Sequence, residues 1–248
     1  MDSALDHLVI AADSLAQGVA WCEATLGVTP GPGGRHPLMG THNRLLRIDG
    51  PAFPQAYLEI IAIDPDAPAP GRARWFMLDD PALRARLQGG PRLVHAVART
   101  PNLDTLREAL LALDQDPGAA LAAGRDTPEG RLAWRILVRE DGALPGGGRL
   151  PTLIQWQGRH PADAMPPSSV ALAAVNFGAL QAREAALLRL RGATTVPGGP
   201  ALAVTLSTPR GDVHLSAEPG AHPGQQNGHP PGHPPGHPPG HPPGDHPR

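Results

Sequence analysis

The stretch GGRHPLMGTHNRLLRIDGPAFPQAYLEIIAI, residues 33–63, carries the pattern that decides the fold. It begins as a glycine-rich loop and ends in the strand-like run 56–63, where Glu59 lies among apolar side chains. Burial disfavours an ionised carboxylate unless a cation or several hydrogen-bond donors compensate for the lost water. The sequence therefore predicts a partner for Glu59, and His7 and His95 are the candidates.

Composition excludes several classes of function. The chain has 248 residues, enough for one large or two small domains, and its net charge of −2 gives no electrostatic reason to expect nucleic acid or an anionic membrane as partner. Every basic residue is arginine, so catalysis through a lysine Schiff base and a phosphate-loop lysine are both excluded. Cys22 is the single cysteine, which excludes an intrachain disulfide.

The location of the protein is predicted from what its first residues lack. The N-terminus enters a strand without the charged leader and apolar core of a signal peptide. No apolar run approaches the roughly 20 residues that a membrane-spanning helix needs. We expect a cytoplasmic protein whose partner is a small-molecule substrate, with no nucleic acid and no membrane, and with its oligomeric state left open.

An order of strand, helix and further strands occurs twice in the chain. The first unit, residues 1–66, is expected to contain strands at 5–11, 43–48 and 56–63 and a helix that is capped by Asp13 or Ser14 and ends at Gly27. The second unit, residues 91–158, is expected to contain strands at 93–98, 132–138 and 152–156 and a helix at 102–113. Both units carry a histidine at the third position of their first strand.

A third unit and a tail complete the chain. Residues 168–217 form a degenerate βαββ copy, in which Leu172 stands where the other two units have histidine. Residues 218–248 repeat Gly-His-Pro-Pro four times and are predicted to be a disordered tail, because they cannot form a core. Its histidines suit binding of Ni, Zn or Cu, and a repeat expansion without a selected function is the alternative.

The histidines and Glu59 suggest a metal site. His7 and His95 occupy matching strand positions, Glu59 lies in the last strand of its unit, and Gln155 is the expected counterpart of Glu59. If the two units pair about a pseudo-two-fold axis, these positions meet in one cleft. Two imidazoles and a carboxylate suit Fe, Mn, Ni or Zn, with open positions for a substrate. The alternative is that both histidines bind backbone groups.

Other polar and aromatic residues are candidates for the substrate pocket. His36, His42 and Asn43 occupy the loop and the start of the next strand, and they either line the pocket or hold the loop by local hydrogen bonds. Trp134 is expected in the core or the pocket wall. Gln155 is expected to contact the substrate or to be a structural amide.

Several motifs together resemble a known family. They are LDHLVIA (5–11), GGRHPLMGTHNRLL (33–46), YLEIIAI (57–63) and LPTLIQW (150–156). They resemble the glyoxalase-like branch of the vicinal oxygen chelate superfamily, whose relatives include glyoxalase I, extradiol dioxygenases and bleomycin-resistance proteins, and the resemblance covers about residues 5–216. It implies an α+β fold of paired βαβββ units that form a cupped mixed sheet, with the third βαββ unit and the tail added.

The resemblance also implies a chemistry. A divalent metal would take two adjacent substrate oxygens, with His7, Glu59 and His95 as ligands and Glu59 also as the catalytic group. At position 155 this chain has glutamine where bacterial glyoxalase I has a second glutamate, so a three-ligand site is expected. We therefore predict a metal-dependent lyase, isomerase or dioxygenase. A non-catalytic binding module of the same fold and metal storage by the tail are the alternatives.

Overall fold

The computed structural model describes residues 2–217, and the predicted tail at 218–248 lies outside them. Its strands are β1 (Ser3–Ala11), β2 (Arg35–His36), β3 (Thr41–Arg47), β4 (Tyr57–Ile63), β5 (Arg92–Arg99), β6 (Ala119–Thr127), β7 (Gly130–Val138), β8 (Thr152–Gln157), β9 (Ala171–Asn176), β10 (Leu190–Arg191), β11 (Leu202–Thr208) and β12 (Gly211–Ala217). Its α-helices are α1 (Leu15–Leu26), α2 (Pro81–Gln88), α3 (Leu103–Leu111) and α4 (Ala182–Leu188).

The first two units supply eight strands of a nine-stranded mixed sheet, in the order β2-β3-β4-β1-β5-β8-β7-β6, and β10 of the third unit pairs with β1 as the ninth. Strands β1 and β5 are antiparallel neighbours at its centre, and each is parallel to the last strand of its own unit, β4 or β8. The two halves are therefore arranged in the same way about the β1–β5 pair. The predicted α+β fold with a curled mixed sheet is confirmed.

Helix α1 packs tightly behind the strand that carries Glu59. The Ser14 hydroxyl accepts a first-turn backbone N–H at 3.2 Å, and Gly27 ends the helix with a positive φ of 76°, as both residue types favour. A Cβ on Gly18 would lie 2.3 Å from Ile60 Cγ2, so only glycine permits this approach. The helix thereby holds β4 against the sheet from the convex side.

Apolar side chains cover both faces of the sheet. On the convex face Leu8 and Ile60 pack with the helices and with the third unit. On the concave face Val9, Ile61 and Ile154 pack with aromatic side chains. Because side chains alternate between the faces of a strand, His7 and Glu59 lie on the concave side with Val9.

Strand β6 is an element that the sequence analysis did not predict. Its sequence, AALAAGRDT, is rich in alanine, which has little intrinsic preference for strands. It forms because it pairs with β7 along its whole length, from Ala119 opposite Val138 to Thr127 opposite Gly130. This hairpin brings Arg125 to the concave face, a position that no local sequence pattern indicates.

Three strands of the third unit form a second sheet, in the order β12-β11-β9. An ion pair joins the third unit to the second unit: Arg149 Nη2 lies 2.9 Å from Oε1 of the fully buried Glu184. Helix α4 ends at Leu188, and the chain then forms the short strand β10. Within residues 2–217, no helix is long and apolar enough to cross a membrane.

Candidate functional site

A cavity of about 40 Å³ lies on the concave face of the sheet. Its polar wall is formed by His7, His36, Asn43, Glu59 and Arg125, and its aromatic wall by Tyr57, Trp75, Trp134 and Trp156. Five of the residues predicted from the sequence therefore lie around one cavity: His7, His36, Asn43, Glu59 and Trp134.

Glu59 has two partners inside the cavity. Asn43 Nδ2 donates a hydrogen bond to Glu59 Oε1 at 2.6 Å, and His7 Nε2 lies 3.5 Å from Oε2. Glu59 is buried and lies opposite Val9 in the sheet. An amide and an imidazole therefore face this carboxylate. Because Oε1 already accepts the hydrogen bond from Asn43, Oε2 is the oxygen that can take up a proton or contact a substrate.

The glycine pair of the opening motif explains how Asn43 is oriented. Its Oδ1 accepts the Gly34 backbone N–H at 2.7 Å and lies 3.5 Å from Arg125 Nη1, so its Nδ2 must face Glu59. A Cβ on Gly33 would lie only 2.1 Å from the Asn43 carbonyl oxygen. Glycine at this position lets the loop lie directly against β3 and fix the amide.

His7 is held in one tautomer by its neighbour in the chain. Its Nδ1 lies 2.7 Å from Asp6 Oδ1, and because a carboxylate only accepts hydrogen bonds, Nδ1 carries the proton. The ring stacks on Tyr57 with centroids 4.7 Å apart. Its Nε2 is consequently the ring nitrogen that faces Glu59.

Asp6 is fully buried and accepts from three side chains. Besides His7, Trp156 Nε1 donates to Oδ2 at 2.8 Å, and His160 Nε2 lies 3.0 Å from the same oxygen. His160 Nδ1 accepts the Ala162 N–H, so its Nε2 holds the proton. Burial acts to raise the pKa of Asp6, but the hydrogen bonds from His160 and His7 prevail and hold that pKa well below its ordinary value.

His36 belongs to the wall as a neutral ring. Its Nδ1 lies 3.1 Å from Thr41 Oγ1, and its Nε2 lies 3.4 Å from Asn43 Nδ2. Burial lowers the pKa of His36 to about 4, against the opposing charge of Glu59. Near neutral pH this ring therefore acts as an uncharged part of the pocket.

His95 does not fit the predicted metal site, and this prediction is corrected. Its Nε2 accepts the Thr152 backbone N–H at 3.1 Å and lies 3.1 Å from Thr152 Oγ1, so the lone pair that a metal would need is already used. Burial, with a smaller contribution from His7, lowers the pKa of His95 to about 3. Across the described chain, residues 2–217, no three His, Cys, Asp or Glu side chains form a group that could hold a metal ion. The set His7, Glu59 and His95 therefore does not form a three-ligand centre.

Gln155 is a second correction as a substrate contact, whereas its alternative, a structural amide, agrees with the structure. It lies on β8 between Ile154 and Trp156, which both line the cavity, so its own side chain faces the other way and donates to the Pro101 carbonyl at 2.7 Å. It is thus neither a substrate contact nor the counterpart of Glu59.

The strand register identifies that counterpart. Val9 lies opposite Glu59 in the first half, and Val97 lies opposite Thr152 in the second. Threonine therefore occupies the position that the sequence analysis assigned to Gln155.

His42 is a third correction. It precedes Asn43 on β3 and so faces away from the cavity, where its Nδ1 lies 3.8 Å from Asp64 Oδ1.

Several site residues were missed from the sequence. Asp6 could have been found by the argument used for Glu59, because it is a carboxylate in an apolar strand. Trp75 follows no strand pattern and precedes Phe76 and Met77, two non-glycine residues with positive φ of 56° and 58°. Two buried donors in the cavity wall, Trp75 Nε1 and Arg125 Nε, have no partner among the described residues.

Substitutions of His95 distinguish a structural role from a ligand role. We expect His95→Ala to lower the free energy of unfolding by about 2–4 kcal/mol, because it leaves the buried Thr152 N–H unpaired and opens a cavity. His95→Gln, whose side-chain oxygen can accept the same N–H, should recover part of this loss in urea unfolding. A metal stoichiometry that falls by one in both variants would instead support the ligand role.

Solved structures with a similar fold were compared with the chain. A hypothetical protein from Staphylococcus aureus is 14% identical, with 87% of this chain and 86% of that chain covered and a TM-score of 0.53. Methylmalonyl-CoA epimerase from Mycobacterium tuberculosis is 17% identical over 65% of this chain and 92% of its own, with a TM-score of 0.38. A hypothetical protein from Bacillus halodurans is 11% identical over 67% and 99%, with a TM-score of 0.35.

Sequence comparison gives the family. None of the curated proteins matches the chain. The family described as "Glyoxalase-like domain" matches residues 5–192, which is most of the chain and includes the whole candidate site. The protein belongs to the glyoxalase-like domain family.

Proposed function

We propose that the protein is an enzyme that moves a proton on the carbon next to a carbonyl group of a small oxygenated substrate, with Glu59 as the base. One observation carries the proposal: Glu59 is a buried carboxylate with Oε1 tied to Asn43 and Oε2 beside His7 Nε2, 3.5 Å away, at the wall of a cavity. A carboxylate fixed by one oxygen and open at the other is suited to proton transfer.

The proposed step uses residues of the cavity wall. Glu59 Oε2 takes the proton from the carbon, and the electron pair of the broken C–H bond moves to the carbonyl oxygen, which becomes an enolate oxyanion. Trp75 lines the same cavity, and its N–H has no partner among the described residues, so we propose it as the donor to that oxygen. Return of the proton to the same carbon gives the substrate or its epimer. Return to the former carbonyl carbon gives an isomer when the reacting carbon carries a hydroxyl group, whose proton moves to the first oxygen as the new carbonyl group forms.

His7 supports this step as the neighbour of the base. Because its Nδ1 holds its proton against Asp6, Nε2 is the atom that exchanges a proton on the side of Glu59. A proton taken up by Glu59 can pass to His7 Nε2 without water entering the cavity, and the ionised Asp6 stabilises the imidazolium that results.

The side chains available as metal ligands change the prediction of a divalent metal. Divalent metals are common in the vicinal oxygen chelate superfamily, and the sequence suggested three ligands. His7 Nε2 and Glu59 Oε2 remain available, whereas His95 is bound to Thr152. We therefore derive no step through a metal, and we propose that proton transfer is carried by the side chains themselves.

Deuterium exchange tests the proposal even when the product is unidentified. The full chain is incubated in D2O with hydroxyacetone, 2-oxobutanoate and 2-oxooctanoate, and NMR follows loss of the C–H signal next to the carbonyl. We expect accelerated exchange of at least one compound, and Glu59→Gln should slow it by about 100-fold or more. Glu140→Gln, at an exposed carboxylate, is the matched control and should leave the rate unchanged.

Two outcomes would contradict the proposal. One is exchange that is equally fast with Glu59→Gln, and the other is the absence of accelerated exchange for all three compounds. Tight binding without exchange would favour the alternative of a sequestering module. Metal storage by residues 218–248, a cytoplasmic location and the absence of nucleic-acid and membrane partners stay proposals from the sequence.

A further inference from the structure

We propose that the substrate is an amphipathic carboxylate, whose charged group binds Arg125 and whose apolar tail lies in a groove next to the cavity. This inference rests on the proposed function, since it names the substrate class of the same site. It is carried by the size of the cavity, by the lining of the groove and by an N–H of Arg125 that has no partner among residues 2–217.

The cavity is too small for a whole metabolite. Its volume of about 40 Å³ corresponds to about three water-sized spheres, whereas pockets for complete ligands are typically several hundred Å³. A groove of about 500 Å³ adjoins it, and the two share Leu45, Arg125 and Pro161 in their walls. A substrate that reacts at Glu59 therefore has room for one small group inside and for the rest of its atoms in the groove.

The groove is mainly apolar. Its walls come from residues 28–33, from β3, from the end of the β6–β7 hairpin and from residues 159–169. Val28, Leu46, Leu132 and Met165 contribute side chains, together with several prolines. An alkyl or aryl tail would lose its contact with water here, which favours binding by about 25 cal/mol for each Å² of apolar surface buried.

Arg125 lies where the cavity and the groove meet. Its Nε is buried and without a partner among the described residues, and its Nη1 makes only a long contact of 3.5 Å with Asn43 Oδ1. A guanidinium is charged at all relevant pH values, and a buried N–H without an acceptor is costly. A ligand with a negatively charged acceptor atom would both balance the charge of the guanidinium and accept a hydrogen bond from the buried N–H.

The other arginines of the groove are less suited to this role. Arg47 is already bound to Asp49 through two hydrogen bonds, and Arg159 is exposed to solvent. Arg125 is thus the arginine that a ligand would meet at the entrance to the reactive cavity.

A carboxylate fits this position better than a phosphate. Two carboxylate oxygens match the fork of a guanidinium and carry one negative charge. Glu59 lines the same cavity as Arg125, and it would repel a dianion more strongly than a monoanion. The ligand class is therefore a monoanion with an apolar tail and a carbonyl group next to the reacting carbon.

Tryptophan fluorescence of the full chain provides the binding test, since three of its four tryptophans, Trp75, Trp134 and Trp156, line the cavity. The probes are 2-oxooctanoate, 2-octanone, which lacks the carboxylate, and pyruvate, which lacks the tail. We expect 2-oxooctanoate to bind at least 10-fold more tightly than either of the others. Arg125→Gln should weaken 2-oxooctanoate at least 10-fold and change 2-octanone less than 2-fold.

Matched variants keep the result interpretable. Arg131→Gln changes an exposed arginine of the same hairpin that pairs with Asp126, and it should bind 2-oxooctanoate like the wild type. Arg125→Lys keeps the charge without the fork and should fall between wild type and Arg125→Gln. Glu59→Gln should still bind 2-oxooctanoate while losing deuterium exchange, so a failure of the chemistry is separated from a failure of binding.

Four outcomes would overturn the inference. They are equal affinity for 2-oxooctanoate and 2-octanone, equal weakening of both by Arg125→Gln, affinity for pyruvate as high as for 2-oxooctanoate, and tighter binding of octyl phosphate than of 2-oxooctanoate. The first two results would rule out a contact between the carboxylate and Arg125. The third would rule out binding of the tail in the groove, and the fourth would show that the site prefers phosphate.

Discussion

At pH 4.5 the protein is expected to be about 5 kcal/mol less stable to unfolding than at pH 7.5, because His36 and His95 must stay neutral in the folded state. Burial holds the pKa of His36 at about 4 and that of His95 at about 3, against about 6.5 in an unfolded chain. At pH 4.5 protonation of each of these histidines stabilises the unfolded chain by roughly 2–3 kcal/mol. The folded protein does not gain this free energy, because both histidines stay neutral in it. Urea unfolding at both pH values measures the difference.

The sign of this effect follows from proton binding. For both histidines the folded pKa is the lower one, so the unfolded chain binds more protons, and stability falls as the pH drops below about 6.5. For His95 the loss continues to about pH 3. His36→Gln and His95→Gln should each reduce the acid-induced loss by about half, and His214→Gln, at an exposed histidine, should not. A stability that stays constant from pH 7.5 to 4.5 would contradict the prediction.

Asp6→Ala is expected to lower the free energy of unfolding by about 3–5 kcal/mol, the range for removal of one partner from a buried charged network. Asp6 is fully buried, and its loss leaves N–H groups of His7, Trp156 and His160 without an acceptor. Denaturant unfolding near pH 7.5 measures the change. The same variant removes the hydrogen bond that fixes the His7 tautomer.

Two controls define the Asp6 result. Asp6→Asn keeps the volume and one acceptor oxygen, so it should lose less stability than Asp6→Ala, although its NH2 group now faces an N–H donor. Asp126→Asn changes an exposed carboxylate and should alter stability by less than about 0.5 kcal/mol. A loss for Asp6→Ala below about 1 kcal/mol would show that the three donors find other acceptors.

The two halves of the sheet share an arrangement and differ in their chemistry. In the first half His7 faces Glu59 at the cavity, and in the second half His95 faces Thr152 and binds its backbone N–H. A glutamate at 152 would have given a second carboxylate next to a histidine. With threonine there, the second half provides packing and the first half provides the groups able to move a proton.

The sequence alone predicted most strands and helices of both units, although not β6, together with a helix cap at Asp13 or Ser14 and the helix end at Gly27. These features depend on short patterns of neighbouring residues, which act before the chain is packed. The sequence also predicted that a buried Glu59 needs a partner, with His7 and His95 as candidates, and the structure places His7 beside it.

Only the tertiary structure decided which side chains reach the cavity. A change of one position moves a strand residue to the opposite face, which is why Gln155 and His42 lie outside and Trp156 and Asn43 lie inside. Arg125 reaches the site because it lies on β6, an alanine-rich strand that forms by pairing with β7. The repeat identified His95 as the equivalent of His7, but the register of β5 and β8 placed Thr152 beside it, and pairing between distant strands is not encoded in any local pattern.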